Sequence, residues 1–305
     1  MAGLGLYAPR YYGEFECIKG ECRHSCCIGW EIDVDDVTVR KYRALSGDIG
    51  ERIRGSISND GEPHFMLLSG DRCPHLDECG LCRIITELGS DYLSDICRLH
   101  PRFFNDTLRG REVGLGVSCE EACRIILSSD GYSDIIRIDD SDCDRVEYDA
   151  LTPRRELFSI LSDRSVPYTE RLTRIHARFS VSAAVLSDGE WREVISSLEY
   201  LGCDSEARFL HYSSLLSGSR WDTVLERALA YFVYRHVSIA KSDVEFRTGV
   251  GFALFCERLL ASVAACENIS AEDELFELAR LISEEIEYSS DNTDSIMAEI
   301  ELALP

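Results

Sequence analysis

Through the second half of the chain, apolar residues recur at helical spacing. Leu172, Ile175, Phe179 and Leu186 fall close to one face, as do Leu225, Leu229, Phe232 and His236. Phe252, Phe255, Leu259, Leu260 and Val263 form a third stripe. Leu275, Leu278, Ala279, Ile282 and Ile286 form a fourth, with Ser270 and Asp273 as its expected cap. Each stripe predicts a helix with one side turned to a core. The first part of the chain has another texture, with loops and short elements. Trp30, Ile32 and Val34 alternate with acidic residues, and Val113, Leu115 and Val117 alternate in the same way, which predicts two short half-buried strands. Ser118 and Glu121 then have capping-box spacing before an apolar run, so a helix is expected from near Cys119 to about Ser128. Strands and helices do not alternate in the doubly wound manner, and no G-x-G-x-x-G follows a strand, which argues against a dinucleotide domain. The predicted fold is mostly α. A loop-rich N-terminal cysteine-cluster module over residues 1–130 packs on a C-terminal multi-helix module over residues 150–305, and an acidic linker, residues 131–149, joins them.

Length and charge narrow the partners. The chain has 305 residues, 45% of them apolar, and a formal net charge of −23. That is enough chain for a substantial core. The acidic balance argues against nucleic acid as a partner, because phosphate binding needs a basic footprint. It suits a lysine-bearing protein approaching under electrostatic steering. No run of 18 apolar residues predicts a membrane span. The opening residues lack the charged and apolar regions of a secretory signal, so the sequence reads as a cytoplasmic protein with no membrane partner.

Fourteen cysteines change the picture. Ten lie between Cys17 and Cys123, in three clusters: Cys17, Cys22, Cys26 and Cys27; Cys73, Cys79 and Cys82, followed by Cys97; and Cys119 with Cys123. Short spacings let one loop offer several thiolates to one centre. Thiolate donors suit zinc and iron–sulfur clusters equally, and more than six cysteines leave room for two centres. Cys119 is expected in the first turn of its helix, where the dipole favours a thiolate. Cys256 and Cys266 fall on or beside an apolar stripe and read, with Cys203, as small hydrophobes. The C-x3-C-x2-C spacing of ordinary radical enzymes that use S-adenosylmethionine is absent.

These residues resemble a known family. Phe15-Glu16-Cys17-Ile18 and the run from Cys22 through Cys26-Cys27-Ile28-Gly29-Trp30 to Asp33 are similar to the start of the flagellin lysine-N-methylase (FliB) family, within a wider group of cysteine-cluster proteins. Cys73-Pro74-His75-Leu76, Leu81-Cys82-Arg83, Leu93-Ser94-Asp95-Ile96-Cys97, His100-Pro101-Arg102 and Ser118-Cys119-Glu120-Glu121 continue the pattern in order. The resemblance spans residues 7–127, with a weaker echo at Tyr231-Phe232-Val233-Tyr234-Arg235-His236. It implies ε-N-methylation of lysines on flagellin or another lysine-bearing protein, with S-adenosylmethionine as donor and an iron–sulfur cluster, of the 4Fe-4S kind, as cofactor. Zinc is the alternative metal. Matched residue by residue, it implies eight ligands: Cys17, Cys22, Cys26, Cys27, Cys73, Cys82, Cys97 and Cys119. Cys79 and Cys123 lie outside that pattern.

Other residues have plainer readings beside the functional ones. Arg102 offers a planar fork that could clamp the donor's carboxylate, against the more common role of a structural ion pair. Tyr231 and Arg235 share a polar helix face that could line a cleft and bind the donor. His236 reads as a core histidine, and Trp30 as packing over the metal site. Asp33, Asp35 and Asp36 read as an acidic turn opening a helix. No Ser-His-Asp order or HExxH is present, and no catalytic residue is assigned. The competing reading is a non-enzymatic chelator, carrier or sensor of metal.

Overall fold

The computed structural model describes residues 5–58, 60–144, 146–181, 186–215 and 217–305. The fold is mostly α, as predicted, with thirteen α-helices among the described residues. Its contacts divide it into two units, and not at the expected boundary. The helical unit takes the N-terminal residues through Phe15, then Arg102–Ser118 and Ala122–Pro305. The cysteine unit is Glu16–Pro101 with Cys119–Glu121. The cysteine unit is thus an insertion in the chain of the helical one.

Strands are numbered in chain order: β1 Gly5–Pro9, β2 Ile57–Ser58, β3 His64–Phe65, β4 Arg102–Thr107, β5 Gly110–Leu115 and β6 Ile135–Asp140. The helical unit holds a four-stranded sheet of order β4-β5-β1-β6. β1 runs parallel to β5, with Leu6 opposite Arg111, and antiparallel to β6, with Ala8 opposite Ile136. β6 lies in the acidic stretch expected as a linker. Its last four residues are exposed, and charged residues there suit a sheet edge, where they discourage further pairing. β5 forms where Val113 and Leu115 predict a strand, but Glu112 and Gly114 are buried beside them, so the strand is covered on both faces rather than half-buried.

The stripes become helices Tyr168–Phe179, Asp222–His236, Asp243–Cys266 and Glu272–Ile282. Two ends differ from expectation. The first helix stops at Ser180, whose φ of 52° ends the helical run and leaves Leu186 outside it. The last begins one residue later than the Ser270 cap predicts, and the Glu274 carboxylate accepts from the backbone N–H of Ser270 and Ala271, both at 3.2 Å. Asp243–Cys266 is 24 residues long and apolar enough to cross a membrane by composition, and 78% of its most apolar window is buried in the fold. Buried ion pairs lock this unit internally. Arg154 grips Glu112 of β5 through two bonds of 2.6 and 2.8 Å, and Arg171 reaches Glu226 at 2.6 Å.

The cysteine unit has short elements: helices Asp36–Ala44, Gly47–Gly55, Arg83–Leu88 and Asp95–Leu99, and the β2–β3 pair. Its core gathers Ile32, Val34, Val39, Tyr42, Ile53, Phe65, Leu76 and Ile84 around Cys73. The strand expected at Trp30–Val34 is an extended segment with a single bridge, Asp33 to His64, flanked by bonds from Phe65 N–H to Ile32 O (2.9 Å) and from Val34 N–H to Pro63 O (2.7 Å). Asp35 opens the following helix as the acidic turn predicted. One carboxylate oxygen accepts from Thr38 N–H at 2.9 Å, and the other accepts from Asp95 N–H at 3.0 Å.

Candidate functional site

The cysteine pair is set by the turn that follows it. Gly29 takes a φ of +84°, open to glycine at little cost, and its N–H donates to Asp71 O at 2.9 Å. That turn lays the Cys26-Cys27 segment beside the second cluster, where Cys73 N–H donates to Cys27 O at 2.8 Å. Leu76 then bridges to Cys82, and Arg83 N–H donates to His75 O at 2.8 Å, which closes the loop carrying Cys73 and Cys82. Cys27, Cys82 and Cys97 pack on the core that contains Cys73. Cys119 is recruited from far along the chain. Arg23, next to Cys22, gives both its backbone N–H and its Nε to the carboxylate of Glu120, next to Cys119, each at 2.8 Å.

Cys119 therefore sits just before its helix, Glu120–Ser128, and not within its first turn. The expected capping box is absent, because Ser118 Oγ is buried with no hydrogen-bond partner.

The eight thiols implied by the family resemblance act on one another electrostatically. Burial pushes Cys22 up to about 12, aided by the negative charges of Cys119, Cys17, Glu120 and Cys26. Burial pushes Cys97 up to about 11, with the charges of Cys73, Cys82 and Cys26 adding to it. The Cys27 thiol donates to the Cys26 sulfur. This bond brings Cys26 down to about 7 and drives Cys27 far up, where burial and the charges of Cys26, Cys73 and Cys82 add to it. Such repulsion among thiolates is what a bound cation relieves. Backbone donors also face the sulfurs: Lys19 N–H to Cys17 Sγ at 3.4 Å, and the N–H groups of His75 and Leu76 to Cys73. Hydrogen bonds of this kind stabilise ligating thiolates and tune clusters. The donor set is thus chemically suited to zinc or an iron–sulfur cluster. Among the described residues, no three His, Cys, Asp or Glu side chains are already grouped as ligands of one metal ion. Cys203, exposed, and Cys256, fully buried, belong to the helical unit, as does Cys266.

In the helical unit, Arg102 opens β4. Its Nε donates to the Tyr12 hydroxyl at 2.9 Å, and its guanidinium lies 5.4 Å from the Phe15 ring centroid. Among the described residues it has no acidic partner, so the ion pair weighed for it is not formed.

Tyr231 and Arg235 are drawn inward by a carboxylate that pattern reading missed. Tyr231, 1% exposed, donates to Glu287 at 3.0 Å, and accepts from Arg235 Nη1 at 2.9 Å and from Val117 N–H at 3.2 Å. His236 Nε2 lies 2.5 Å from the same carboxylate. Burial holds this histidine below its ordinary pKa, so its neutral N–H donates to Glu287. Burial disfavours the Glu287 charge, but Arg235 and His236 outweigh it and keep the carboxyl below its usual range. Glu287 ends a π-helical turn, Ser283–Glu287, directly after the fourth stripe. Tyr231 and Arg235 therefore belong to an internal network and do not line a cleft as expected. The core reading of His236 matches its burial. Glu287 left one signal in the sequence, an acid adjoining the buried Ile286.

A mostly helical chain with an inserted cysteine-rich unit defines the class as a cysteine-rich protein. Over 136 residues the chain is 32% identical to a lysine-N-methylase of Salmonella typhimurium, covering 42% of this chain and 34% of that relative. A lysine-N-methylase of Salmonella choleraesuis matches to the same extent. The flagellar biosynthetic protein FliU of Salmonella muenchen is 31% identical over 136 residues, and here the match covers 80% of the relative. The chain belongs to this FliB-like family. It spans about a third of the length of the two lysine-N-methylases. No family model and no solved structure matches it.

Proposed function

We propose that the chain is a protein-lysine N-methyltransferase of the flagellar type, with S-adenosylmethionine as donor and an iron–sulfur cluster held in the cysteine unit. The observation that carries this reading is the match of the eight cysteines to the family pattern, with Arg23 and Glu120 tying the segments of Cys22 and Cys119 together, alongside the names of its relatives. When bound, the cluster would supply redox chemistry or rigidity, and its ligands would come from Cys17, Cys22, Cys26, Cys27, Cys73, Cys82, Cys97 and Cys119.

Arg102 is the residue best suited to the donor's carboxylate, since a guanidinium fork without an acidic partner matches that group. Arg235 lies 5.1 Å from the ring of Phe103, next to Arg102, and so acts as a positioning residue for β4. Methyl transfer needs the lysine amine neutral and in line with the sulfonium methyl; a site shielded from water favours both. The substrate would be flagellin or another lysine-bearing protein, drawn by the acidic surface. Localisation in the cytoplasm, where donor and unassembled flagellin coexist, goes with this reading.

The test is calorimetry of S-adenosylmethionine on anaerobically prepared protein, followed by mass spectrometry of flagellin incubated with both. Donor binding and a 14 Da gain on lysine are expected (the mass of one added CH₂, order of magnitude about 14). Absence of both, with metal retained, leaves a metal-binding protein that chelates, carries or senses. The FliU relative, whose name states no enzymatic activity, fits that second reading.

A further inference from the structure

We propose that the cysteine unit binds the phosphate group of a small molecule, in a cleft that Arg52 and Arg83 line together with Ser56 and the buried His75. The cleft has a volume of ≈ 230 Å³, and Ile49 and Pro74 supply apolar parts of its wall. That volume is the share of about seven or eight water molecules at about 30 Å³ each, and lies below that of drug-sized pockets. It suits an ion or a short ligand. Three stretches of the unit build the site. Helix Gly47–Gly55 carries Arg52 and is followed by Ser56, the loop after Cys73 carries His75, and Arg83 opens helix Arg83–Leu88. Arg83 N–H donates to His75 O at 2.8 Å, and Ser56 Oγ lies 2.9 Å from His75 Nε2. The single Ser56 hydroxyl proton goes to Ile53 O at 2.8 Å, so His75 Nε2 carries a hydrogen and donates to Ser56. Ile53 O also accepts from Ser56 N–H at 3.1 Å, so both lone pairs of this carbonyl at the negative end of its helix are occupied. His75 is 4% exposed and packs edge-on against Phe65, with ring centroids 4.7 Å apart, which fixes its position.

The charges choose the ligand. The chain carries a net charge of −23, yet two guanidinium groups line this one cleft. Arg52 gives its Nη2 to both oxygens of Glu87, at 2.8 and 3.0 Å, and its guanidinium forms no other bond among the described residues. The Arg83 guanidinium has no acidic partner among them. Two arginines against one glutamate leave one positive charge at the cleft. A carboxylate is flat and is filled by a single guanidinium. A phosphate monoester has three terminal oxygens in a tetrahedral array and about one and a half to two negative charges at pH 7, so two guanidinium groups from different helices can share it. Ile49 and Pro74 then meet its organic part.

S-adenosylmethionine carries no phosphate, so this site and the methyltransferase reading stand or fall separately. Calorimetry of inorganic phosphate and of glycerol 3-phosphate on the full chain, prepared without air, is the test. One phosphate is expected to bind per chain. Arg83→Gln is expected to weaken it at least about tenfold, with metal content and circular dichroism unchanged. Arg43→Gln removes the same charge from the same unit outside the cleft, and is expected to stay within about twofold of wild type. Tighter binding of glycerol 3-phosphate than of phosphate assigns the site to a phosphorylated metabolite, and the reverse order assigns it to the free ion. Should Arg83→Gln not fold, phenylglyoxal labelling of wild type, read by peptide mass spectrometry, gives the same answer. Phosphate is then expected to protect Arg52 and Arg83 but not Arg43. No binding by wild type up to about 10 mM phosphate, acetate held as tightly as phosphate, equal weakening by both substitutions, or protection without selectivity overturns the proposal.

Discussion

Replacing Tyr231 with phenylalanine separates a structural role from a donor-binding one. The substitution keeps the ring and removes one hydroxyl that serves three partners: Glu287 at 3.0 Å, Arg235 at 2.9 Å and Val117 N–H at 3.2 Å. Val117 is 1% exposed, so its N–H is left without an acceptor or with a trapped water. A buried donor stranded in this way costs about 1–3 kcal/mol, and a hydrogen bond to a charged carboxylate is worth about 1.5–3 kcal/mol. Glu287 keeps His236 at 2.5 Å and Arg235 at 3.5 Å, which places the total near the sum of the lower ends, about 2.5 kcal/mol. For a domain of this size each kcal/mol moves the melting temperature by about 2–4 °C, giving a fall of roughly 5–10 °C. Circular dichroism through thermal unfolding, repeated in urea to confirm an unchanged denaturant slope, reads the effect. Donor affinity, measured well below the melting range, stays at the wild-type value. A variant that melts within about 1 °C of wild type but binds the donor more weakly would refute the network reasoning and return Tyr231 to a binding surface.

Protein purified without air should contain iron and acid-labile sulfide; stoichiometric zinc without sulfide would reject the cluster while sparing the thiol assignment. Arg102→Ala should weaken donor binding at least about tenfold, the value of one charge-assisted pair, with metal content unchanged; equal affinity by calorimetry removes Arg102 from the site. Asp35→Ala should destabilise the cysteine unit by about 1–2 kcal/mol, the usual cost of losing a side-chain cap, and hydrogen exchange should speed up at Thr38 and Asp95. Acidification should weaken the helical unit through His236. Its folded pKa is depressed by burial and by Arg235, against the pull of Glu287, so its contribution is complete above about 6.5, the unfolded value, and is lost as pH falls toward the lower folded one. His236→Gln should flatten stability between pH 7 and pH 5 in urea titrations, and an unchanged slope would count against it.

The helices were legible because each is long enough for its apolar stripe to repeat, and helix Asp243–Cys266 shows why periodicity suffices there. The sheet was not. β1 finds its partners in β5 and β6, more than a hundred residues further on, and no local pattern encodes which segments meet at that distance. The acidic stretch looked like a linker because an edge strand needs only one face and one edge satisfied, so Asp139 and Asp140 could replace apolar residues. The candidate thiols came from resemblance and spacing; the Arg23–Glu120 clamp that ties the segments of Cys22 and Cys119 together has members that look like ordinary surface charges in the chain. Tyr231 and Arg235 misled for the opposite reason. Polar residues in a helix predict exposure until a buried acid such as Glu287 recruits them, and that acid lies 56 residues away from Tyr231.

The insertion of the cysteine unit within the helical one sets an order of assembly at the ribosome. β1 is made first, yet it must wait until residue 140 has been synthesised before both of its neighbours exist. Residues 16–101, which carry seven of the eight family-matching cysteines, emerge during that wait. Cys119 follows before β6 does. The nascent chain therefore exposes all eight family-matching thiols while the helical unit is still open. Until β6 emerges, β1 keeps an unpaired edge, and chains stalled at that stage are natural targets for chaperones and proteases.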